Sequence, residues 1–108
     1  MPPKLDKKAI TDCLRAHQRE LRSLGVSRLG LFGSFVRDGA TPESDVDILV
    51  EFESGKKSFA AFMELAFWLE DMLQRPVELV TPESLSPYLA PYILPTVEYI
   101  VEQERRVA

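Results

Sequence analysis

The sequence has almost none of the residues that build disulfide frameworks and zinc sites. Its 108 residues include one cysteine, Cys13, and one histidine, His17. A single cysteine excludes an internal disulfide framework. A zinc site draws several ligands from histidine and cysteine, so with one residue of each kind a zinc site is not expected. Both residues lie on the apolar stripe of a predicted helix. We therefore expect Cys13 to be a small core residue, and His17 to pack at the rim of the core rather than to act in catalysis.

Long apolar runs and an excess of positive charge are also missing. No run approaches the roughly 18 apolar residues that indicate a membrane span. The first residues, MPPKLDKK, contain no apolar core of a signal peptide. We therefore expect a cytoplasmic protein that does not act at a membrane. The net charge of −4 argues against a broad electrostatic grip on a nucleic acid backbone, so direct nucleic acid binding is not expected.

The chain does contain enough apolar sequence for one compact core. Its hydrophobic fraction is 45%, and its length fits one domain, which we assign to residues 1–108. Apolar periodicity predicts helices over 5–24 and 58–74, strands over 27–32, 44–52 and 77–80, and then a helix to about Leu94 followed by a short strand or turn. Asp6 and Ser58 are the predicted caps of the two long helices. The inner face of the second helix is predicted to carry Phe59, Phe62, Ala66, Leu69 and Leu73. This order of elements indicates an α/β or α+β domain, with helices packed on one side of the strands.

The most informative stretch is LFGSFVRDGATPESDVDILVEF, at residues 31–52. A turn with Gly33 and Ser34 follows an apolar run, and ten residues later a strand begins with Asp45 and Asp47. Residues two apart in a strand point to the same face, so the two carboxylates are expected side by side. Mg²⁺ binds through one or two carboxylates and takes other ligands from substrate phosphates. A Gly-Ser turn can offer backbone N–H groups to a phosphate chain, so together these features predict a site that moves a nucleotide.

The alternative is an ordinary half-buried strand, because Val46, Ile48, Val50 and Phe52 alternate with acidic residues. On its own, a D-x-D pattern is typical of a solvated sheet face. Leu49 interrupts the polar series, however, so the acidic face is not expected to be simply solvated. Together with the Gly-Ser turn, this favours the functional interpretation.

The pattern G-S-x10-D-x-D, followed by a later acidic strand, resembles the nucleotidyltransferase fold of the polymerase-beta superfamily. It is most similar to the minimal nucleotidyltransferases (MNT), which are often the antitoxin partners of HEPN toxins. The similarity covers about residues 26–100 and is densest over residues 31–52, where A-T-P-E-S-D and L-V-E-F closely follow that branch. The resemblance implies a small mixed β-sheet packed by helices on one face, with an acidic cluster on the open face.

The resemblance also implies roles for individual acids. Asp45 and Asp47 would hold Mg²⁺ for transfer of a nucleotide from ATP. The family carries a third carboxylate, usually aspartate, on a later strand, and Glu78 matches that position. The resemblance implies that Glu78 helps to hold a second metal ion or takes the acceptor proton. Its extra methylene changes its distance to a metal and leaves the role of a base open. The alternative for Glu78 is a solvated sheet face.

Three further residues are implied to contact nucleotide. Gly33 and Ser34 would hold the β- and γ-phosphates of ATP, and Arg37 matches an arginine that is common in this motif. A surface ion pair is the alternative for Arg37. Asp38 departs from the family, which usually has glycine there.

The short chain leaves little room for a second domain that would hold an acceptor, which favours a protein acceptor. The resemblance implies transfer of AMP to a tyrosine of a partner HEPN ribonuclease toxin, within a hetero-oligomer. The predicted contact surface, or else the last layer of the core, is the tail with Tyr88, Tyr92, Ile93 and Tyr99. Two alternatives stay open. One is an antitoxin that acts by binding alone with a vestigial site, which the departures at Glu78 and Asp38 favour. The other is a small-molecule nucleotidyltransferase.

Overall fold

The computed structural model describes residues 6–36 and 44–102 of the chain. Its helices are α1 Lys7–Ala16, α2 Gln18–Ser23, α3 Phe59–Leu73 and α4 Ala90–Ile93. Its strands are β1 Val26–Phe32, β2 Val46–Phe52, β3 Val77–Val80 and β4 Glu98–Glu102, and single 3₁₀ turns lie at Gly33–Phe35, Pro82–Ser84 and Leu94–Thr96. Across these two described ranges, no helix has the length and apolar character needed to cross a membrane.

The four strands form one mixed sheet in the order β3-β2-β1-β4. β1 is antiparallel to both β2 and β4, whereas β2 and β3 are parallel. The register places Phe32, at the end of β1, opposite Asp47, and it places Asp47 opposite Glu78 of β3. The start of β2 therefore lies between the turn that follows β1 and the acid of β3. The mixed sheet with helices confirms the predicted fold class.

The core lies between one face of the sheet and helices α1, α2 and α3. The helices contribute Ile10, Leu14, Leu21, Leu65, Leu69 and Leu73, and the strands contribute residues that include Leu29, Leu31, Val46, Ile48 and Val50. The predicted alternation along β2 is confirmed for its first three apolar positions. Leu49 points to the other face and is also fully buried, so that face is not simply solvated, as the sequence predicted.

The centre of this second face is covered by the chain that leads into β4. Gly30 pairs with Leu49, and a Cβ atom on Gly30 would overlap the side chain of Val97. The missing side chain at Gly30 lets Val97 approach the sheet closely. The segment from α4 to β4 therefore packs on the face that carries the acids, opposite the three longer helices.

The first predicted helix, over residues 5–24, is divided in two at His17. The ring Nδ1 of His17 lies 2.7 Å from the carbonyl oxygen of Cys13, and the backbone N–H of His17 donates instead to the carbonyl of Leu14. The side chain thus takes the carbonyl that a continuous helix would use, which explains the break. The ring also meets Trp68 edge-on, with 5.8 Å between centroids. The prediction of a packed histidine is confirmed.

The bounds of helix α3 agree with the prediction, but not all of the residues predicted for its inner face are buried. Ser58 caps it by accepting a hydrogen bond from the N–H of Ala61 at 3.0 Å, and Asp6 caps α1 in the same way through Ala9 at 2.8 Å. The buried residues of α3 are Leu65, Leu69 and Leu73. Phe59 is 81% exposed, so its placement on the inner face was wrong. Residues 59–69 are apolar apart from Glu64, so more than one stripe fits the helical period.

Candidate active site

The turn that follows β1 contacts the acid of β2 directly. Gly33 has a φ of +77°, which favours glycine over every other residue. A Cβ atom on Gly33 would overlap the carboxylate oxygen Oδ2 of Asp47. Glycine is therefore required at this position for two independent reasons. The backbone of the Gly-Ser turn and the carboxylate of Asp47 form one continuous surface.

The three predicted acids lie on two neighbouring strands. Asp45 is exposed and immediately precedes β2, Asp47 is half-buried on β2, and Glu78 is exposed on β3. Asp45 lies two residues before Asp47 and just outside the strand, while Asp47 and Glu78 are register partners. In residues 6–36 and 44–102, no group of three or more His, Cys, Asp or Glu residues is close enough to hold a metal ion. Within these ranges the three carboxylates therefore do not form a site of three protein ligands for a metal ion.

Asp47 and Glu78 open into a cleft of about 350 Å³. This volume is within the range of small-molecule sites, at their lower end. The cleft is lined by Phe32, Gly33, Val36, Asp47, Glu78, Tyr92, Ile93 and Thr96. Asp45 is not among the lining residues and sits outside the cleft. The tail of the chain thus supplies one wall, and the turn and the acidic strands supply the other.

The remaining predicted phosphate contacts are only partly described. Ser34 is half-buried within the 3₁₀ turn Gly33–Phe35, and Phe35 is buried in the core and anchors that turn. Arg37 and Asp38 lie outside the described residues. Their predicted roles rest on the sequence alone.

Arg75, between α3 and β3, was not predicted to have a role. Its Nη1 donates a hydrogen bond to the carbonyl of Ser44 at 3.1 Å, and its guanidinium lies 5.5 Å from the ring centroid of Phe35. Ser44 precedes Asp45, and Phe35 follows Ser34. Arg75 therefore ties the Gly-Ser turn to the acidic strand. No sequence pattern indicates this contact, because its partners are a backbone carbonyl and an aromatic ring.

The start of β3 is fixed by a residue of α3. A carboxylate oxygen of Glu70 accepts a hydrogen bond from the N–H of Val77 at 3.0 Å. This bond satisfies the backbone group one residue before Glu78 and ties the end of the helix to the strand. The position of Glu78 is thus set by α3 as well as by the register with β2.

A second polar cluster lies farther along the same sheet face. Arg28 pairs with Glu51, and its guanidinium lies 4.1 Å from the ring centroid of Tyr99. The hydroxyl of Tyr99 donates to Glu51 at 3.3 Å, and burial raises the pKa of Tyr99. Glu51 and Tyr99 therefore hold β1, β2 and β4 together, and Tyr99 belongs to the sheet rather than to a free contact surface.

Comparison with known proteins assigns the family. Residues 14–107 match the nucleotidyltransferase domain family. A protein of Thermococcus cleftensis named protein adenylyltransferase MntA is 45% identical over 92 residues, which cover 84% of this chain and 92% of that protein.

Solved structures share the fold. A structure assigned to the minimal nucleotidyltransferases is 30% identical in sequence and has a TM-score of 0.68. The match covers 87% of this chain and 95% of that one. A toxin–antitoxin complex with AMP-PNP has a TM-score of 0.68 at 24% identity, over 87% of this chain and 74% of that one. A complex of a tri-AMPylated Shewanella oneidensis HEPN toxin with its MNT antitoxin has a TM-score of 0.54 at 22% identity, over 82% of this chain and 72% of that one. At these identities the two complexes support the fold alone. The family match, the identity to MntA and the shared fold agree with the geometry of the cleft, and the chain belongs to the nucleotidyltransferase family.

Proposed function

We propose that this protein is a Mg²⁺-dependent adenylyltransferase that transfers AMP from ATP to a tyrosine hydroxyl of a HEPN-type ribonuclease toxin, and that it acts as the antitoxin. The observation that carries the proposal is the close approach of the Gly33 backbone to the Asp47 carboxylate. It supports the proposal because a turn of this kind can offer N–H groups to phosphates beside an acid that can bind a metal ion. The name of the Thermococcus relative supports the same reaction. A neighbour that shares the fold is an MNT antitoxin in complex with an AMPylated HEPN toxin, which is the kind of partner proposed here.

The chain's own residues would bind and orient ATP. The N–H groups of the turn and the hydroxyl of Ser34 would hold the β- and γ-phosphates. Asp45 and Asp47 would hold Mg²⁺, which supplies positive charge near the attacking and leaving oxygens when it is bound. Catalysis would then rest mainly on positioning and electrostatics, as in phosphoryl transfer generally.

The chemical step would be an attack by the acceptor hydroxyl on the α-phosphorus of ATP. A bond forms between the hydroxyl oxygen and the α-phosphorus, the bond to the bridging oxygen breaks, and pyrophosphate leaves. Glu78 would accept the proton of the hydroxyl. This role suits Glu78 because it is exposed in the cleft next to Asp47, and its carboxylate makes no hydrogen bond or ion pair with the part of the chain that the structure describes.

The role of Glu78 can be tested by two substitutions that differ in chemistry. We expect Glu78→Gln to lower kcat for AMP transfer by roughly 100-fold, because a general base contributes at least that factor. Glu78→Asp restores the carboxylate that is usual in the family and should retain most of the activity. The measurement is kcat for AMP transfer by the wild type and by the two variants at saturating ATP. An unchanged kcat in Glu78→Gln would assign Glu78 to a solvated sheet face.

Removal of Arg75 should weaken ATP binding. Arg75→Ala loses a hydrogen bond and an aromatic contact that together position the turn and the acidic strand. We expect ATP affinity to fall by about fivefold, which corresponds to about 1 kcal/mol. The matched control is Arg15→Ala, since Arg15 also donates to a backbone carbonyl, that of Ile100, at 3.2 Å. The control should lower the melting temperature without changing the affinity measured by calorimetry, and equal affinities in the two variants would contradict the positioning role.

The proposed function is tested by separating the two proteins after the reaction. The toxin is incubated with this protein, ATP and Mg²⁺, then purified and assayed for RNA cleavage and for mass. We expect one or more AMP groups on a tyrosine and a loss of cleavage that persists after separation, because an added phosphate repels RNA. A toxin that regains full activity without added mass would instead support an antitoxin that acts by binding alone. That second candidate is favoured by the lack of a three-acid metal cluster among the described residues.

The partner is expected to be basic at the surface that it presents. The net charge of this chain is −4, and the RNA site of a ribonuclease carries positive charge, so the two surfaces would attract each other. The exposed aromatic side chains of the tail, Tyr88 and Tyr92, are the proposed contacts within the hetero-oligomer. A weaker complex in 1 M salt than in 0.1 M salt is the expected result.

A further inference from the structure

The cleft beside the acids contains a tyrosine of this chain. Tyr92, in α4, lines the same cleft as Asp47 and Glu78. Its side chain is 77% exposed. Its hydroxyl makes no hydrogen bond with any residue in the ranges 6–36 and 44–102. A residue with a free phenolic hydroxyl thus lines the cleft where, under the proposed function, a phenolic hydroxyl is the acceptor.

Three other hydroxyl groups in the described part of the chain are bonded or lie outside the cleft. Thr96 lines the cleft, but its hydroxyl donates to the carbonyl of Ile93 at 2.6 Å. The hydroxyl of Tyr99 donates to Glu51, and burial raises the pKa of Tyr99. Tyr88 is more exposed than Tyr92, at 84%, but it does not line the cleft. Of these groups, only Tyr92 combines a position in the cleft with a free hydroxyl.

The backbone around Tyr92 is held in place on both sides. Pro91 and Pro95 flank it within α4 and the following 3₁₀ turn, and a proline fixes its own φ. The N–H of Tyr92 donates to the carbonyl of Leu89 at 3.0 Å. Rotation about the two side-chain bonds of Tyr92 is therefore the main freedom of its hydroxyl, and an ordered acceptor loses little entropy when it reacts.

We propose that the protein adenylylates its own Tyr92. This inference rests on the proposed function, because it uses the same acids and the same ATP. The Oη atom of Tyr92 forms a bond with the α-phosphorus of ATP, the bond from that phosphorus to the bridging oxygen breaks, and pyrophosphate leaves. The phenolic proton passes to Glu78. The product is a phosphodiester between Tyr92 and AMP.

The modification limits itself to one AMP group for each chain. The cleft has a volume of about 350 Å³, so an AMP group attached to one of its walls occupies the space that a second ATP would need. Because the acceptor and the acids belong to the same chain, the reaction is intramolecular. Its rate constant therefore does not depend on the concentration of the protein.

The test uses the whole protein with ATP and Mg²⁺ and without a partner. We expect an intact mass increased by one AMP group, located by peptide mass spectrometry at Tyr92. Tyr92→Phe removes only the hydroxyl and should abolish the modification, whereas Tyr88→Phe, in an exposed tyrosine four residues earlier, should retain it. A tenfold dilution should leave the rate constant unchanged. Melting temperatures measured for both variants check that the fold is retained.

The outcomes separate this inference from the proposed function. If the wild type adenylylates a toxin but carries no AMP on Tyr92, self-modification is wrong and the transfer reaction stands. If Tyr92→Phe carries as much AMP as the wild type, Tyr92 is not the site and the inference is also overturned. If neither the toxin nor Tyr92 acquires AMP, the proposed function fails, and the inference that rests on it fails with it.

Discussion

Replacement of Asp47 by asparagine is expected to lower AMP transfer by roughly 100- to 1,000-fold, the range found when one strong electrostatic contact is removed from an active site. Asp47 contacts the turn at Gly33 and pairs in register with Glu78, so its charge lies where phosphates and metal would meet. The fold should persist. Asparagine has the same size, and its introduction relieves the repulsion between like charges on neighbouring strands. Initial rates and thermal denaturation measure the two effects separately.

The control for Asp47 is another acid on the same strand. Glu51 lies four residues farther along β2 and pairs with Arg28 and Tyr99. We expect Glu51→Gln to lower the melting temperature by removing an ion pair while the transfer rate stays close to that of the wild type. An active double variant with Asn at both Asp45 and Asp47 would refute the assignment of these acids to catalysis.

Substitution of Gly33 by alanine should lower transfer by more than about tenfold, because the added Cβ overlaps Oδ2 of Asp47 and must displace the carboxylate. The positive φ of +77° at Gly33 adds roughly 1–2 kcal/mol of backbone strain. Stability and activity should therefore both fall.

Gly55→Ala separates strain from steric overlap. Gly55 has nearly the same φ, +78°, but a Cβ on Gly55 would meet no atom within 4 Å. Both alanine variants should lose stability in chemical denaturation, Gly33→Ala by more because its Cβ also overlaps Asp47, and only Gly33→Ala should lose transfer. If the two variants transfer AMP at the same rate, the contact between Gly33 and Asp47 is not important for the reaction.

The sequence predicted most element bounds because the local signals were strong. The alternation along β2 and the caps Asp6 and Ser58 depend on neighbouring residues alone. The break at His17 was not predicted, since it arises from a side chain that competes for one carbonyl. The exposure of Phe59 was missed because a helix that is apolar on most sides gives no unique stripe.

The residues of the candidate site could be predicted from the sequence, but their arrangement in space could not. Spacing and resemblance identified Gly33, Asp47 and Glu78, while only the register brings them side by side. The contribution of Arg75 depends on tertiary contacts that no local pattern encodes. Tyr92 lines the cleft because the segment before β4 packs over the sheet face that carries the acids. This is a contact between residues far apart in sequence, and apolar periodicity cannot predict it.

The pairing of β1 with β4 has a consequence for the order of events during synthesis. Leu29 pairs with Val101 and Arg28 pairs with Glu102. Strand β1, which is synthesised early, therefore cannot complete its pairing until β4, the last described strand, has been synthesised. Bringing β1 and β4 together closes a long loop, and the entropy of closure is lost before the contacts between the strands form. Such non-local pairings slow folding. A nascent chain that has not yet reached β4 leaves one edge of β1 unpaired and the face around Leu49 uncovered.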